Sequence, residues 1–308
     1  MASYLMQTIR EMTREMTNSG MPMFGEDINA AKLREVIEEA QGNMPLQPGV
    51  TYEPCTLAGL EAELSVPAYS REDAIILYLH GGGLVCGNAR TSRGYAGMLA
   101  GESRIPVYSF SYHLAPEDPY PAAVDDCVNF YKAVMDKHPD IPIFLIGESG
   151  GGLLCVTTAL KLRDEGVRAP AAAVIYSPVM DFSGTIDRRG RGYEEITVTE
   201  PGLGALARLY CPDEAIRTRP LVSPYFADFT SCCPMYVSWD KGETLAADAE
   251  ALIERLEDAR VPVEYHRYEG CFHAFAPVGR NTPESSRLLD DSIAFMLRHL
   301  HDQHLGEE

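Results

Sequence analysis

The sequence predicts an α/β protein, a mostly parallel β-sheet of eight strands with helices on both faces. Three observations predict it. Short apolar runs of strand length recur along the chain, helix-compatible segments separate them, and the first two strand-like segments are joined by a turn too short for a crossover. The apolar runs are 74–79 (AIILYL), 106–111, 143–146, 172–176, 235–239 and 263–268. Short, largely apolar runs of this kind fit strands covered on both faces.

Taken in order, residues 1–45 stand apart, because seven of the twelve methionines (1, 6, 12, 16, 21, 23 and 44) fall there. Helices are expected over 2–17 and 29–41, broken at Asn18-Ser19-Gly20 and Met21-Pro22. Residues 50–57 and 61–66 read as strands turning at Gly59. Strands at 74–79, 106–111, 143–146 and 172–176 then alternate with helices at 95–101, 122–136 and 151–165. Residues 183–222 break this rhythm and read as an insertion with a helix near 202–210. Strand 235–239, helix 246–259, strand 263–268 and helix 284–300 follow, and the polar end 301–308 is expected to fray.

With 45% hydrophobic and 23% charged residues, the 308-residue chain has the balance of a soluble globular protein, which excludes collagen, coiled coil and wholesale disorder. Lys plus Arg is 26 against 45 Asp plus Glu, a net charge of −19 that repels phosphate backbones, so no nucleic-acid partner is expected. No window approaches the ~18 unbroken apolar residues of a membrane span, and the first twelve residues lack the apolar run of a signal peptide. The eight cysteines form no C-x-x-C pair and read as reduced thiols of a cytoplasmic protein.

In open parallel sheets, ligands bind outside the carboxyl ends of the strands, so the chemistry is sought there. Strand 143–146 runs into Gly147-Glu148-Ser149-Gly150-Gly151, a G-x-S-x-G followed by a helix-compatible run. Strand, sharp turn and helix are the setting in which such a serine presents its hydroxyl as a nucleophile. A phosphate loop would need lysine where Leu153 stands, and a dinucleotide fingerprint would need glycine at Ser149. Strand 74–79 runs into His80-Gly81-Gly82-Gly83, whose bare amides suit a tetrahedral oxyanion, with the Gly150 N–H as a further donor. A base must follow the serine in chain order. His113 and His138 precede it and His266 lies within a strand, which leaves His273 in Gly270-Cys271-Phe272-His273-Ala274-Phe275. For the acid, Asp240, Glu243 and Asp248 all follow strand 235–239, and the residues alone leave Asp240 and Glu243 open. His299, His301 and His304 approach a metal-binding spelling but sit at the polar end, so neither metal nor cofactor is expected.

These stretches, together with Tyr112-His113-Leu114-Ala115-Pro116-Glu117 and Tyr120-Pro121-Ala122-Ala123, resemble the hormone-sensitive-lipase family of α/β-hydrolase esterases over roughly residues 50–300. The resemblance implies an α/β-hydrolase fold with Ser149 as nucleophile, His273 as base, and Gly82, Gly83 and Gly150 as the oxyanion hole. Glu243-Thr244-Leu245 occupies the place of the family's Asp-x-Leu segment, so the resemblance favours Glu243 as the acid, a glutamate where aspartate is commoner. Glu148, Gly150 and His113 stand where the family usually has Asp, Ala and Arg. The resemblance also implies a cap built from 1–45 and 183–222 over a catalytic domain spanning 46–308, with the Met-rich segment as an apolar lid.

The expected activity is hydrolysis of short- to medium-chain carboxylic esters through an acyl-enzyme on Ser149. The alternatives are amide, lactone or sugar-acetate cleavage by the same machinery, or a non-catalytic small-molecule receptor, which the presence of His273 disfavours. The expected partner is a small ester, with a homodimer possible.

Overall fold

The computed structural model describes residues 2–18, 24–42, 45–193 and 195–300. Methionines 1, 21, 23 and 44, the Ser19–Gly20 break and the polar end from His301 lie outside the described residues. Helices α1 (Tyr4–Asn18) and α2 (Ala30–Gln41) precede a hairpin of β1 (Val50–Leu57) and β2 (Leu60–Pro67). The alternation continues through β3 (Ile75–Leu79), α3 (Ala89–Ser103), β4 (Val107–Phe110), α4 (Ala122–Lys137), β5 (Ile143–Glu148), α5 (Gly150–Asp164) and β6 (Ala172–Tyr176). Helix α6 (Glu200–Tyr210) lies in the insertion, followed by β7 (Met235–Asp240), α7 (Ala246–Asp258), β8 (Val263–Tyr268) and α8 (Pro283–Arg298).

The eight strands form one sheet in the order β1-β2-β4-β3-β5-β6-β7-β8. Only the β1–β2 and β2–β4 pairings are antiparallel. Alternation along each strand divides the core in two. Ile75, Leu77 and Leu79 face the layer that holds α4, α5 and α7, while Ile76 and Tyr78 face α3 and α8. The expected eight-stranded α/β architecture is therefore present.

One helix begins earlier than the sequence suggests. Helix α3 starts at Ala89 rather than 95, because Asn88 accepts from the Thr91 N–H while the Thr91 hydroxyl accepts from the Asn88 N–H. This reciprocal cap satisfies the first-turn donors across a stretch whose hydrophobic signal is weak.

The N-terminal helices are tied to the loops at the sheet's carboxyl edge. Met6 is buried in the α3/α8 layer, and Arg10 donates to the Gly270 carbonyl. Arg34 of α2 donates to the Val85 and Ala115 carbonyls at 2.7 and 2.9 Å. Met12 and Met16 of α1 are exposed.

Candidate active site

Ser149 stands between the last residue of β5 and the first of α5, with φ 55° and ψ −119°. That left-handed backbone is strained for a residue carrying Cβ, and such strain concentrates at functional sites. Its N–H is anchored on the Tyr176 carbonyl at 2.9 Å. A serine before a helix normally caps it with its hydroxyl. Here the side chain makes no capping bond, so the hydroxyl is left for other work. The turn is permitted by close backbone approach, since a Cβ on Gly151 would lie 2.0 Å from the Leu79 carbonyl oxygen.

The glycine loop after β3 crosses in front of this turn. Gly82 adopts φ 109°, and a side chain there would strike the Cys86 carbonyl oxygen at 2.2 Å. That carbonyl position is set by a turn in which Val85 and Cys86 both donate to Gly82 O at 3.1 Å. Among the described residues no hydrogen bond takes up the N–H of Gly82, Gly83 or Leu84, and Gly150, the first residue of its helix, has no intrahelical partner. The positions meet: a Cβ on Gly150 would lie 3.3 Å from Gly83 N and 3.1 Å from Leu84 N. Fixed, unpartnered donors at one point are what a developing oxyanion requires.

Two side chains shape that loop. The Glu148 Oε1 atom accepts from the Gly81 N–H at 2.6 Å and from the Tyr78 hydroxyl at 2.8 Å. Burial pushes the Glu148 carboxyl up to about 7 against those bonds. His80 is stacked on Tyr112 with ring centroids 4.1 Å apart, and burial pulls it down to about 4, so it is a neutral structural ring.

His273 lies just past β8, and its Nδ1 meets the Glu243 carboxylate at 3.0 Å. Both side chains are buried. Burial alone would lower the imidazole. The hydrogen bond and charge of Glu243, with Glu195 and Glu148 adding their fields, hold it above its ordinary value. Asp240 does something else. Its Oδ1 accepts from the Gly242 N–H and its Oδ2 from the Cys271 N–H, each at 2.8 Å, so it ties the β7 turn to the loop that carries His273. Geometry thus separates the two carboxylates that the residues alone left open. Asp248 is separated as well, being bidentate to Arg188 in the interior.

Ser149, Glu243 and His273 follow β5, β7 and β8 at one edge of the sheet. Glu243 and His273 are brought into contact, while among the described residues no hydrogen bond joins the Ser149 hydroxyl to the imidazole. Catalytic hydrogen bonds in ligand-free sites commonly tighten only when substrate binds. Two contributors escaped the sequence reading. Ser177, directly after β6, accepts from the Ala274 N–H at 3.2 Å and so positions the histidine loop. Its place at a strand end between the other two sites was the available signal. Glu195 comes from the irregular insertion, where no pattern marked it. Among the described residues no cluster of His, Cys, Asp and Glu is placed to hold a metal ion.

The fold and this edge define an α/β hydrolase. A family described as alpha/beta hydrolase fold matches residues 76–277. An acetyl-hydrolase of Streptomyces hygroscopicus is 33% identical over 264 residues, 84% of this chain and 86% of that protein. An esterase of Acinetobacter venetianus is 29% identical over 267 residues, 85% of this chain and 87% of that protein. The crystal structure of an esterase from the bacterial hormone-sensitive lipase family is similar with a TM-score of 0.89 at 30% identity, covering 97% of this chain and 99% of that one. The chain belongs to the hormone-sensitive-lipase family of α/β-hydrolase esterases.

Proposed function

We propose that the chain hydrolyses short- to medium-chain carboxylic esters through an acyl-enzyme on Ser149. The observation that carries this reading is the 3.0 Å bond between Glu243 and His273 at the sheet edge where Ser149 takes its left-handed turn. Glu243 holds the imidazole with its Nδ1 proton inward, leaving Nε2 as the base. His273 takes the Ser149 proton as the hydroxyl attacks the ester carbonyl, and returns it to the departing alcohol. The N–H groups of Gly82, Gly83 and Gly150 receive the oxyanion. Water then repeats the sequence on the acyl-enzyme.

Residues 1–45 and 183–222 act as the cap. A Cβ on Gly83 would lie 2.9 Å from Phe24 Cε1 and 2.7 Å from Leu206 Cδ2, one side chain from each segment. The Phe24 ring and the Leu206 side chain thus close over Gly83, and this apolar cover supports an apolar acyl group as substrate. Among the described residues no helix is long and apolar enough to cross a membrane, and all eight cysteines are free, which supports a reducing, cytoplasmic setting.

The test is labelling by a fluorophosphonate probe together with turnover on p-nitrophenyl esters from acetyl to dodecanoyl. Wild-type protein should be labelled on Ser149 and turn over the acetyl and butyryl esters fastest. Ser149→Ala should lose the label and about 10⁶-fold in kcat. Near-wild-type turnover in that variant would end the assignment.

A further inference from the structure

Glu195 belongs to the insertion, yet every polar atom of its carboxylate is engaged at the catalytic edge. Its Oε1 accepts from the N–H groups of Ile196, Thr197 and Val198 at 2.8, 2.6 and 3.1 Å, and from the Thr197 hydroxyl at 2.8 Å. Its Oε2 accepts from the Thr244 N–H at 3.1 Å. Thr244 is the residue after Glu243. A second bond joins the same two segments, from Gly192 N to the Glu243 carbonyl at 3.3 Å.

The turn that Glu195 folds reaches further. Phe24 donates its N–H to the Thr197 carbonyl at 3.1 Å and accepts from Thr199 N at 3.2 Å, pairing with Val198 as an isolated bridge. Phe24 is the side chain that closes over Gly83. One carboxylate therefore connects three parts that come from distant stretches of the chain: the loop carrying the acid, the insertion, and the N-terminal segment above the oxyanion amides.

We propose that Glu195 is a positioning residue for ester hydrolysis: one oxygen folds the 196–198 turn that seats Phe24 over Gly83, and the other fixes Thr244 and with it Glu243 behind His273. The inference rests on the reading of Ser149, His273 and Glu243 given above. It also makes Glu195 electrostatic. Three carboxylates bear on the imidazole: Glu243 from the β7–α7 turn, Glu148 from the end of β5, and Glu195 from the insertion. Burial opposes ionisation of Glu195, but His273 and the backbone donors overcome it and hold the carboxyl below its ordinary value, so it stays charged. Its charge favours the imidazolium that forms during each proton transfer.

The sign of the pH effect follows. The free-enzyme imidazole must be neutral to act as base, so the acid limb of kcat/KM follows its pKa. Removing a nearby negative charge lowers that pKa and moves the limb to lower pH. A residue that only braced the fold would leave the limb in place.

The experiment compares wild type, Glu195→Gln and Glu195→Asp on p-nitrophenyl butyrate. Rates are normalised to sites titrated by the fluorophosphonate, so that misfolded protein does not count. Glu195→Gln removes the charge and can offer an acceptor to only one of the two segments. It should lose roughly 10- to 100-fold in normalised kcat/KM, the scale of a misplacement near 1 Å, and its acid limb should move down by a few tenths of a pH unit or more. Glu195→Asp keeps the charge on a shorter arm. It should lose rate while its limb stays near that of wild type, and it carries the test by itself should the Gln variant yield no folded protein. An unmoved limb in Glu195→Gln, a rate loss that vanishes on normalisation, or full activity in Glu195→Asp would overturn the proposal. Wild-type protein that neither turns over esters nor takes the label would instead bring down the underlying reading of Ser149, and this inference with it.

Discussion

Glu148 and Glu195 both bear on the His273 imidazole, yet their own carboxyls are shifted in opposite directions. Glu148 ends β5, a strand whose six residues are all buried. Two donors share one of its oxygens, the other oxygen has no hydrogen-bond partner among the described residues, and burial wins, raising the carboxyl to about 7. Glu195 sits in the insertion, where the charge of His273 and backbone amides reaching both of its oxygens outweigh burial and hold it ionised. The difference runs through the two regions. The sheet side is assembled by removing apolar surface from water. The insertion is held by buried charge: Arg188 is bidentate to Asp248 and also donates to the Asp181 carbonyl, while Asp181 accepts from Ser183 and Ile186. A wall of apolar strands needs only hydrophobicity at the right period. A wall of clamps needs particular pairs, such as Arg188 with Asp248, far apart in the chain.

The comparison breaks first at the acid. Glu243 lies on the turn that the insertion grips, whereas Asp240 is still part of β7. Glu243→Gln should lower kcat by about 10⁴, the scale seen when a triad acid loses its charge but keeps its shape. Asp240→Asn should cost much less in rate, since Asp240 holds backbone rather than imidazole. Steady-state kinetics on one short ester decides it. Collapse in Asp240→Asn with Glu243→Gln nearly intact would move the acid onto the strand and erase the contrast.

The same contrast governs how much the sequence could tell. The central strands β3 to β7 were legible because a run such as residues 143–146 is hydrophobic by itself, whatever it packs against, whereas β8, expected to be covered on both faces, is a largely exposed edge strand. Ser149 and the glycine loop were legible because steric limits force glycine where backbones nearly touch, and that leaves a spelling. His273 followed from chain order. The choice between Asp240 and Glu243 was not legible from local chemistry, because both are carboxylates at the end of one strand. Only the resemblance favoured Glu243, and in the structure Glu243 is the carboxylate that meets His273, at 3.0 Å. Glu195 and the Arg188–Asp248 pair left no local trace. A charged residue in an irregular segment looks solvated until its distant partner is known.

Stability offers the next separation. Arg188 and Asp248 are almost entirely buried. Arg188→Met would leave the Asp248 carboxylate uncompensated in the interior and should cost about 3–5 kcal/mol. Removing a methyl from the sheet side, as in Ile146→Val, should cost only about 0.5–1.5 kcal/mol. Denaturant unfolding of both variants supplies the numbers. Adding Asp248→Leu to Arg188→Met should recover part of the loss, because two apolar side chains replace a charge left alone. An Arg188→Met variant no weaker than Ile146→Val would mean that the insertion is not held by its ion pair.

The smallest effect returns to Glu148, a charged residue at the end of the fully buried strand β5. Its folded value of about 7 lies above its ordinary 4.5. Below 4.5 the carboxyl is neutral in folded and unfolded chains alike and costs nothing. Between 4.5 and 7 the unfolded chain releases the proton that the folded chain keeps, so stability falls as pH rises. Above 7 the folded chain carries the ionised form at its full cost, on the order of 3 kcal/mol at 1.36 kcal/mol per pKa unit. Glu148→Gln resembles the protonated acid: each offers one carbonyl oxygen to Gly81 and Tyr78, while the acid leaves one O–H and the amide two N–H donors without a partner. The variant should therefore lie at or below wild type near pH 4.5, gain on it progressively to pH 7, and hold a constant difference at higher pH. Unfolding curves across that range read the difference directly. A difference independent of pH would place the Glu148 proton elsewhere, and would make the two glutamates beside His273 alike rather than opposed.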